Sequence, residues 1–384
     1  MGQELKTYEQ GPIRPPSEAG SLLLRFTRNC PWNQCTFCPI YKGLAFSRRS
    51  LDEICRDIDA VHRIVEDLHS LSWSKGLAGR LTRELLRTVL AGPSYSDQYR
   101  YVALWALSGT GNVFIQDANS LVLPTDLLVK ALQHLRTRLP GIRRITSYAR
   151  SSTLARKSIE DLKALREAGL DRIHIGLESG SDQVLQFVKK GATSEQHITA
   201  GRKVIEAGMT LSEYIMPGLG GKEWSRVHAL ETARVLNAIN PHFIRLRSLR
   251  IPPRSPLYQD KIEGRFIPLS DDDTVREIGL LLQALEHISS TLTSDHIMNL
   301  LPEVEGSFPG DKDRILAVIE QYLSLSEDDR LLYRLGRRAA AIQGLADFED
   351  TTLRHRLEAA RRELQADPGM DIEMIITEMG DRYI

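Results

Sequence analysis

Three of the four cysteines lie together in one short segment of the chain. Cys30, Cys35 and Cys38 fall within nine residues, in the run CPWNQCTFC. A loop of this length can turn three thiolates toward one metal centre, and three ligands leave one coordination position open. Structural zinc normally takes four protein ligands, and the nearest further candidates, Cys55 and His62, fall on a predicted helix beyond the loop. The spacing favours an open iron–sulfur cluster, with an incomplete zinc site or a chance group of reduced thiols as alternatives.

The chain that must position these thiols alternates between strand-like and helical patterns. Strands are predicted over Leu22–Phe26, Gly111–Asp117, Arg144–Tyr148, Arg172–Glu178, Thr210–Met216 and His242–Leu249. Amphipathic helical stretches between them include Asp126–Leu135, Ile159–Ala168, Ile198–Ala207 and Val227–Ala238. Six successive strand–helix units predict a parallel α/β fold, either a closed or partial barrel or a doubly wound sheet. Neither a Gly-x-Gly-x-x-Gly nor a Walker A motif follows the first strand, which weakens the doubly wound alternative.

Composition shifts along the chain predict three regions. Residues 1–20 are rich in proline and glycine and form a predicted N-terminal extension. Residues 21–260 carry the strand–helix units, with a predicted helical insertion over about 67–108. From about residue 271 the strand patterns stop, so we predict a helical C-terminal domain over 271–384.

The overall composition excludes several classes of protein. The chain has 384 residues, with 50 Lys and Arg against 50 Asp and Glu. It has no apolar run near the roughly 18 residues of a membrane span and no signal-peptide pattern, and four cysteines are too few for a disulfide-stapled secreted protein. Zero net charge argues against a general electrostatic attraction to nucleic acid or anionic lipid. We therefore predict a soluble cytoplasmic protein with no membrane partner, for which nucleic acid is a poor candidate ligand.

The cysteine segment and its surroundings resemble the radical S-adenosylmethionine (radical SAM) superfamily. The triplet follows the first predicted strand, Phe37 precedes its last cysteine, and the flanking runs RFTRNC and PIY are similar to that family's first-strand context. The resemblance covers about 22–258 and implies a partial (β/α)6 barrel of the TIM type. It also implies a [4Fe–4S] cluster whose three protein ligands are Cys30, Cys35 and Cys38, with SAM chelating the fourth iron. The C-x4-C-x2-C spacing has one residue more than the common pattern, which a bulge in the loop can absorb.

The resemblance implies cofactor-binding roles at the ends of the second and third strands. Asp117 and Asn119 match the segment that contacts the amino group of SAM, although the usual Gly-Gly-Glu is absent. An ordinary Asp/Asn turn leading into a helix is the structural alternative. On the third strand, Tyr148 and Arg150 share one alternation face and are cofactor or substrate candidates.

The fourth and fifth strands carry the closest likeness to the family. The run GLESGSD resembles a strand end at which Glu178 would accept hydrogen bonds from the SAM ribose, and a helix-dipole role is the alternative. Lys190 falls where relatives place a cation near the SAM carboxylate, or it is a solvated charge. Met216 begins the Gly-rich turn MPGLGG, which is similar to the family's adenine-side loop.

The sixth strand places two arginines on the face opposite its apolar residues. In HFIRLRSL, Ile244 and Leu246 suit the face covered by helices, so Arg245 and Arg247 are predicted to point inward. Buried arginines are costly unless paired, so they either pair with interior carboxylates such as Glu213 or Glu178 or bind an anion. We predict that they bind a carboxylate of SAM or of the substrate.

The predicted activity is therefore that of a radical SAM enzyme. The resemblance implies that a reduced cluster, supplied by a donor such as flavodoxin or ferredoxin, cleaves SAM to a 5′-deoxyadenosyl radical that abstracts hydrogen from a small-molecule substrate. Because Cys55 is the only cysteine outside the triplet, a second Cys-ligated cluster is excluded, and we interpret Cys55 as a small core residue. The chain is most similar to the coproporphyrinogen oxidase and YgiQ-like branch.

Two alternatives remain open. The first is a non-catalytic metal- or haem-handling protein with the same fold. The second is a tRNA-modifying enzyme, for which the basic segment Arg334, Arg337 and Arg338 is a candidate local patch. Substrate, product and oligomeric state do not follow from these residues.

Overall fold

The computed structural model describes residues 7–365 and 371–381. The strands of this part are β1 (Leu22–Arg25), β2 (Thr27–Arg28), β3 (Ser47–Arg48), β4 (Asn112–Gln116), β5 (Arg144–Ala149), β6 (Arg172–Glu178), β7 (Thr210–Ile215), β8 (Phe243–Leu246), β9 (Thr291–Thr293) and β10 (Gly306–Ser307). Eight of them form one sheet in the order β1-β4-β5-β6-β7-β8-β9-β10, and β2 pairs with β3 in a separate ribbon. The pairs β1–β4, β4–β5, β5–β6, β7–β8 and β8–β9 are parallel, whereas β10 is antiparallel to β9.

Helices connect and cover these strands. Their bounds are α1 (Leu51–Ser74), α2 (Arg83–Ala91), α3 (Asp97–Ser108), α4 (Thr125–Arg138), α5 (Ser151–Leu154), α6 (Ile159–Glu167), α7 (Asp182–Phe187), α8 (Ser194–Glu206), α9 (Gly221–Ile239), α10 (Pro256–Ile262), α11 (Asp271–Gln283), α12 (Lys312–Ser324), α13 (Glu327–Arg338), α14 (Thr351–Gln365) and α15 (Ile372–Asp381). Within residues 7–365 and 371–381, every helix is too short or too polar to span a lipid bilayer.

Local sequence explains where the long helix α1 begins and which face it buries. Ser50 accepts the Glu53 amide through its hydroxyl, and the Glu53 carboxylate accepts the Ser50 amide at 2.8 Å, so the two residues form a capping box. Apolar residues three or four apart then form the buried face, namely Ile54, Ile58, Val61, Ile64 and Leu68.

The predicted fold class is confirmed: five of the six predicted strands contain an observed strand, the predicted strand Arg144–Tyr148 lies within β5, and each predicted helical stretch falls on an observed helix. The expectation that strands stop at residue 271 is wrong, because β9 pairs with β8 and β10 pairs with β9. These two strands are three and two residues long, too short for an alternation pattern to show in the sequence.

The chain divides into two compact units by its internal contacts. The first contains Ile40–Ile175, Arg202–Leu211 and the described residues up to Asn33, and the second contains Gln34–Pro39, Gly176–Gly201 and the described residues from Ser212 onward. This division does not follow the regions predicted from composition, whose boundaries stay predictions. Parts of those regions, residues 1–6, 366–370 and 382–384, lie outside the described residues.

In the first unit, the segment before β1 is packed rather than free. Tyr8 and Glu18 are buried, and the buried Gln116 side chain at the end of β4 binds the backbone of Gly11 and Ile13. The Gln116 amide accepts from the Gly11 N–H at 2.8 Å and donates to the carbonyls of Gly11 and Ile13 at 3.0 and 2.8 Å. The described part of the predicted extension is therefore fixed against the sheet.

Candidate functional site

In the first unit, two asparagines shape the loop that carries Cys30. Asn29 and Asn33 have φ values of 66° and 47°, the left-handed region that asparagine tolerates better than most residues. The Asn33 amide N–H donates to the Cys30 sulfur at 3.4 Å, and its side chain donates to the Tyr41 carbonyl at 2.5 Å. Cys30 is half-buried and is a free thiol.

Asp117 anchors this loop from the end of β4. Its side chain is completely buried and accepts hydrogen bonds from the Arg25 guanidinium, from the Asn29 amide at 3.0 Å and from the Tyr41 hydroxyl at 2.9 Å. Because Asn29 directly precedes Cys30, the carboxylate fixes the entry to the cysteine loop. The predicted contact of Asp117 with SAM stays a prediction.

Asn119 and Arg150 meet at the start of α5. The Asn119 side chain donates to the Thr153 hydroxyl at 2.8 Å and accepts the Arg150 amide at 3.0 Å, so it joins the ends of β4 and β5. The Arg150 guanidinium lies 5.1 Å from the centre of the Trp32 ring, within the cysteine loop.

Tyr148 belongs to a buried polar and aromatic cluster on one face of the sheet. Its ring lies edge-on to Phe114 at 5.0 Å and 5.8 Å from the His174 ring. His174 and Arg144 contact the completely buried Glu18 carboxylate at 3.3 and 2.9 Å. Burial alone would raise the pKa of Glu18, but the hydrogen bonds from His174 and Ser21 and the charges of His174 and Arg144 outweigh it and lower the pKa.

In the second unit, Cys35 lies against the segment that follows α7, and Cys38 is hydrogen-bonded to Cys35. The Thr36 N–H donates to the Val188 carbonyl at 2.9 Å, and the buried Cys35 thiol lies 4.0 Å from the Lys190 carbonyl oxygen. Cys38, which is half-buried, donates its amide to the Cys35 carbonyl at 3.4 Å. Both are reduced cysteines.

Glu178 and Lys190 form an ion pair beside Phe37. The Lys190 Nζ lies 2.9 Å from Glu178 Oε1 and 5.8 Å from the centre of the Phe37 ring. Both charged side chains are only 12% exposed, so the interpretation of Lys190 as a solvated charge is wrong. A Cβ on Gly176 would overlap the Glu178 carboxylate and lie 2.9 Å from Lys190 Nζ, so glycine leaves the space that the pair occupies.

Met216 links the end of β7 to the same site. Its amide donates to the Glu178 carbonyl at 3.0 Å, and its side chain packs in a cluster with Val184, Val188 and Leu219, against which Phe37 also packs. The second unit therefore brings together four of the predicted cofactor-binding residues, which are Phe37, Glu178, Lys190 and Met216.

Arg245 is buried and paired with Asp295, which is neither of the interior carboxylates considered as its alternative partners, Glu178 and Glu213. Its guanidinium donates to Asp295 Oδ2 at 2.9 Å, to the Thr293 hydroxyl at 3.1 Å and to the Ser212 hydroxyl at 3.0 Å. Strand β9, which the sequence did not predict, ends at Thr293 and brings in these partners. The expectation that Arg247 is buried is also wrong, because β8 ends at Leu246 and Arg247 is exposed.

Glu213 is a buried carboxylate that the sequence offered as one of two alternative partners for Arg245, and the two residues do not pair. Glu213 is completely buried on the β7 face that it shares with Leu211 and Ile215, and neither carboxylate oxygen has a hydrogen-bond partner among the described residues. Burial raises the pKa of Glu213 well above 4.5; Lys190 opposes this rise and Glu178 adds to it. Burial of this kind favours the neutral acid.

The buried Glu213 makes stability depend on pH. Because the folded-state pKa of Glu213 is raised, the contribution of its neutral carboxyl to stability is fully present below the ordinary pKa of glutamate. As pH rises from there toward the folded-state pKa, the free energy of unfolding falls by about 1.4 kcal/mol for each pH unit. Glu213→Gln is neutral at every pH, so the variant's unfolding free energy is expected to rise relative to wild type between pH 5 and pH 8. Urea unfolding at the two pH values measures this, and a pH-independent difference would contradict it.

The donor chemistry of the cysteines fits an iron–sulfur cluster, because Cys30, Cys35 and Cys38 are all reduced and can ligate iron as thiolates. Across residues 7–365 and 371–381, no three His, Cys, Asp or Glu side chains are grouped closely enough to hold a metal ion. The assignment of the three ligands therefore depends on their spacing in the sequence and stays a prediction. Cys55 is half-buried on α1, and burial, with Asp59 and Asp52, raises the pKa of its thiol, which disfavours the reactive thiolate.

Comparison with known proteins identifies the class to which this arrangement belongs. Residues 24–233, more than half of the chain, match the Radical SAM superfamily, and the chain belongs to that superfamily. Its members are enzymes whose cofactors are a [4Fe–4S] cluster and SAM, so the predicted family and enzyme class are confirmed. The predicted coproporphyrinogen oxidase and YgiQ-like branch stays a prediction.

Individual relatives are distant. The chain is 26% identical over 196 residues to 4′-phospho-dehydrooxetanocin synthase of Priestia megaterium, covering 50% of this chain and 22% of the relative. It is 20% identical over 120 residues to tRNA uridine(34) acetyltransferase of Methanocaldococcus jannaschii, covering 31% and 22%. These matches span about a fifth of the length of the curated relatives. A solved structure of the cobalamin-dependent SAM radical enzyme OxsB is 14% identical, with a TM-score of 0.43 over 96% of this chain and 58% of that one.

Proposed function

We propose that this chain binds a [4Fe–4S] cluster through Cys30, Cys35 and Cys38, binds SAM beside it, and carries out radical chemistry on a small-molecule substrate. When bound, the cluster supplies the electron for reductive cleavage of SAM. The observation that carries the proposal is the Glu178–Lys190 ion pair, which lies in the unit that also contains Cys35 and Cys38.

The residues around this pair are suited to the parts of SAM. The Glu178 carboxylate is an acceptor for two vicinal ribose hydroxyls, and Lys190 carries the charge that a carboxylate requires. Phe37 and Met216 supply apolar surface for an adenine ring, and the Met216 amide is already satisfied by the Glu178 carbonyl. The low exposure of the pair, 12% for each side chain, strengthens its electrostatic interactions.

The first unit contributes residues that orient the cysteine loop. We assign Asp117 the task of fixing Asn29 and hence Cys30, beside its predicted contact with the SAM amino group. Asn119, Tyr148 and Arg150 remain candidate cofactor-binding residues, and Arg150 already contacts the loop through Trp32.

For the substrate we propose an anionic group bound at the end of β8. Arg247 is exposed there, whereas Arg245 is compensated by Asp295. Burial, and after it the charges of Arg247 and Arg250, lower the pKa of His296 to about 4, and the two arginines give this end of β8 a positive charge. A carboxylate or phosphate on the substrate would be attracted to this positively charged region.

A flavodoxin or ferredoxin remains the proposed electron donor.

The segment considered as an RNA-binding patch has a different role. Arg334 and Arg338 are buried, and their guanidinium groups bind Glu373 at 2.7 Å and Asp271 at 2.9 Å. Arg337 donates to backbone carbonyls of the same unit, including that of Leu300 at 3.0 Å. The prediction of a basic patch is therefore wrong for these three arginines, which stabilise the packing of α13.

The proposed function is tested by anaerobic reconstitution with iron and sulfide, followed by dithionite and SAM. Mass spectrometry should detect 5′-deoxyadenosine above the level of a no-enzyme control. An intact cluster without any SAM cleavage would favour the metal- or haem-handling alternative, and a protein that takes up no iron would contradict the proposal and favour zinc.

A further inference from the structure

A buried histidine on α9 connects the two loops assigned to SAM. His228 is only 1% exposed and contacts the Ser179 hydroxyl through Nδ1 at 2.8 Å and the Met216 carbonyl through Nε2 at 3.2 Å. Ser179 directly follows Glu178, and Met216 begins the Gly-rich turn after β7. One imidazole therefore binds both strand ends.

The directions of these hydrogen bonds are fixed by the groups involved. The Ser179 hydroxyl accepts the Ser181 amide at 3.0 Å, which leaves its proton free to be donated to His228 Nδ1. A carbonyl only accepts, so His228 Nε2–H donates to the Met216 oxygen. This pattern needs a neutral imidazole, and burial does lower the pKa of His228, against the opposing effects of Glu277 and the Met216 carbonyl.

The same helix holds the strand end at a third point. The Gly180 amide donates to the Thr232 hydroxyl at 2.9 Å, and that hydroxyl donates to the His228 carbonyl at 2.5 Å. An alanine Cβ at Gly180 would lie 2.6 Å from Thr232 Cα, so only glycine allows this approach of loop and helix. His228 and Thr232, one helical turn apart on α9, therefore bind Ser179 and Gly180, the two residues that follow Glu178.

A buried carboxylate on α11 fixes the Gly-rich turn from its other side. Glu277, 4% exposed, accepts the Gly218 amide and the Ser225 hydroxyl, each at 2.6 Å. It lies 3.6 Å from His228 Nε2, too far for a good hydrogen bond but close enough to interact electrostatically. Glu277 and His228 thus bind two positions of one turn, Gly218 and Met216.

We propose that His228 and Glu277 are positioning residues for SAM: they set the spacing between the ribose-binding end of β6 and the adenine-side turn after β7 without touching SAM. This inference rests on the proposed function. It follows from the network, because Ser179 and Gly180, which directly follow Glu178, are hydrogen-bonded to α9, and the turn that begins at Met216 is hydrogen-bonded to α9 and α11, in each case through buried side chains. The loops are thereby fixed before the cofactor arrives, which lowers the entropic cost of binding.

The test compares variants that break one or both ends of the link. His228→Leu removes both hydrogen bonds and is expected to raise the KM for SAM in the 5′-deoxyadenosine assay by about ten-fold or more, with a smaller change in kcat. His228→Asn keeps an acceptor near the Nδ1 position and His228→Gln a donor near the Nε2 position, so each should recover part of the loss. Hydrogen exchange of peptides covering Ser179 and Gly218 should rise in His228→Leu.

Controls separate this inference from loss of folding and from failure of the proposed function. His134→Leu breaks a different histidine–carboxylate contact, 2.9 Å from Asp59, and should leave the KM for SAM unchanged. If His228→Leu does not fold, Ser179→Ala removes only a hydroxyl and should still raise the KM. A folded His228→Leu with wild-type KM and wild-type exchange would overturn the inference. Wild-type protein without SAM cleavage would contradict the proposed function itself, before any variant is compared.

Discussion

Replacing Cys35 by alanine is expected to abolish both the iron–sulfur cluster and the formation of 5′-deoxyadenosine. Three thiolates bind three of the four irons of the cluster and leave the fourth iron open. The loss of any one thiolate therefore leaves too few protein ligands to hold the cluster. Cys30→Ala and Cys38→Ala should behave in the same way. Iron and sulfide content after anaerobic reconstitution, together with the visible absorption of the cluster, measures the effect.

The chain offers a matched control for these variants. Cys55 is a free, half-buried thiol on α1, outside the cysteine loop. Cys55→Ala therefore removes one cysteine, as each ligand variant does, but leaves the loop unchanged. It should retain the wild-type iron content and SAM cleavage. If Cys35→Ala kept the wild-type iron content, or if Cys55→Ala lost it, the assignment of ligands would be wrong.

Glu178→Gln is expected to weaken SAM binding by roughly 10- to 100-fold. Hydrogen bonds to a charged group contribute about 1.5–3 kcal/mol, and each 1.4 kcal/mol is a factor of ten in the dissociation constant. The substitution also leaves Lys190 without its partner at 2.9 Å. Titration calorimetry of SAM into the reconstituted protein measures the change.

The control for this prediction is the same substitution in an exposed ion pair. Glu231 lies 2.7 Å from Arg234 on the surface of α9 with 42% of its side chain exposed, so Glu231→Gln should not alter the affinity for SAM. If Glu178→Gln and wild type bound SAM with equal affinity, the assignment of Glu178 to the SAM site would be wrong. The assignment of the cysteines would be unaffected.

Much of the fold could be predicted because its signals are local. Strand β6, Arg172–Glu178, has the same bounds in the prediction and in the structure, since alternation between apolar and polar residues marks a strand with one covered face. Strands β9 and β10 were missed because such short segments carry no period. Because β9 was not predicted, the pairing of Arg245 with Asp295, which follows that strand, could not be predicted either.

The site was predictable only in part, for a related reason. Cys30, Cys35 and Cys38 stand out by spacing, and Glu178 by its position at a strand end. His228 and Glu277 were missed, because a single polar residue on an amphipathic helix is indistinguishable in sequence from a surface residue. Their roles depend on contacts 49 and 59 positions away, with Ser179 and Gly218, which no local pattern encodes.

The measurement that tests the central claim most directly is electron paramagnetic resonance of the reduced, reconstituted wild-type protein with and without SAM. If three cysteines bind the cluster and one iron is open, the spectrum should be that of a reduced [4Fe–4S] cluster and should change when SAM is added. A cluster signal that SAM leaves unaltered, or no cluster signal at all, would contradict the account.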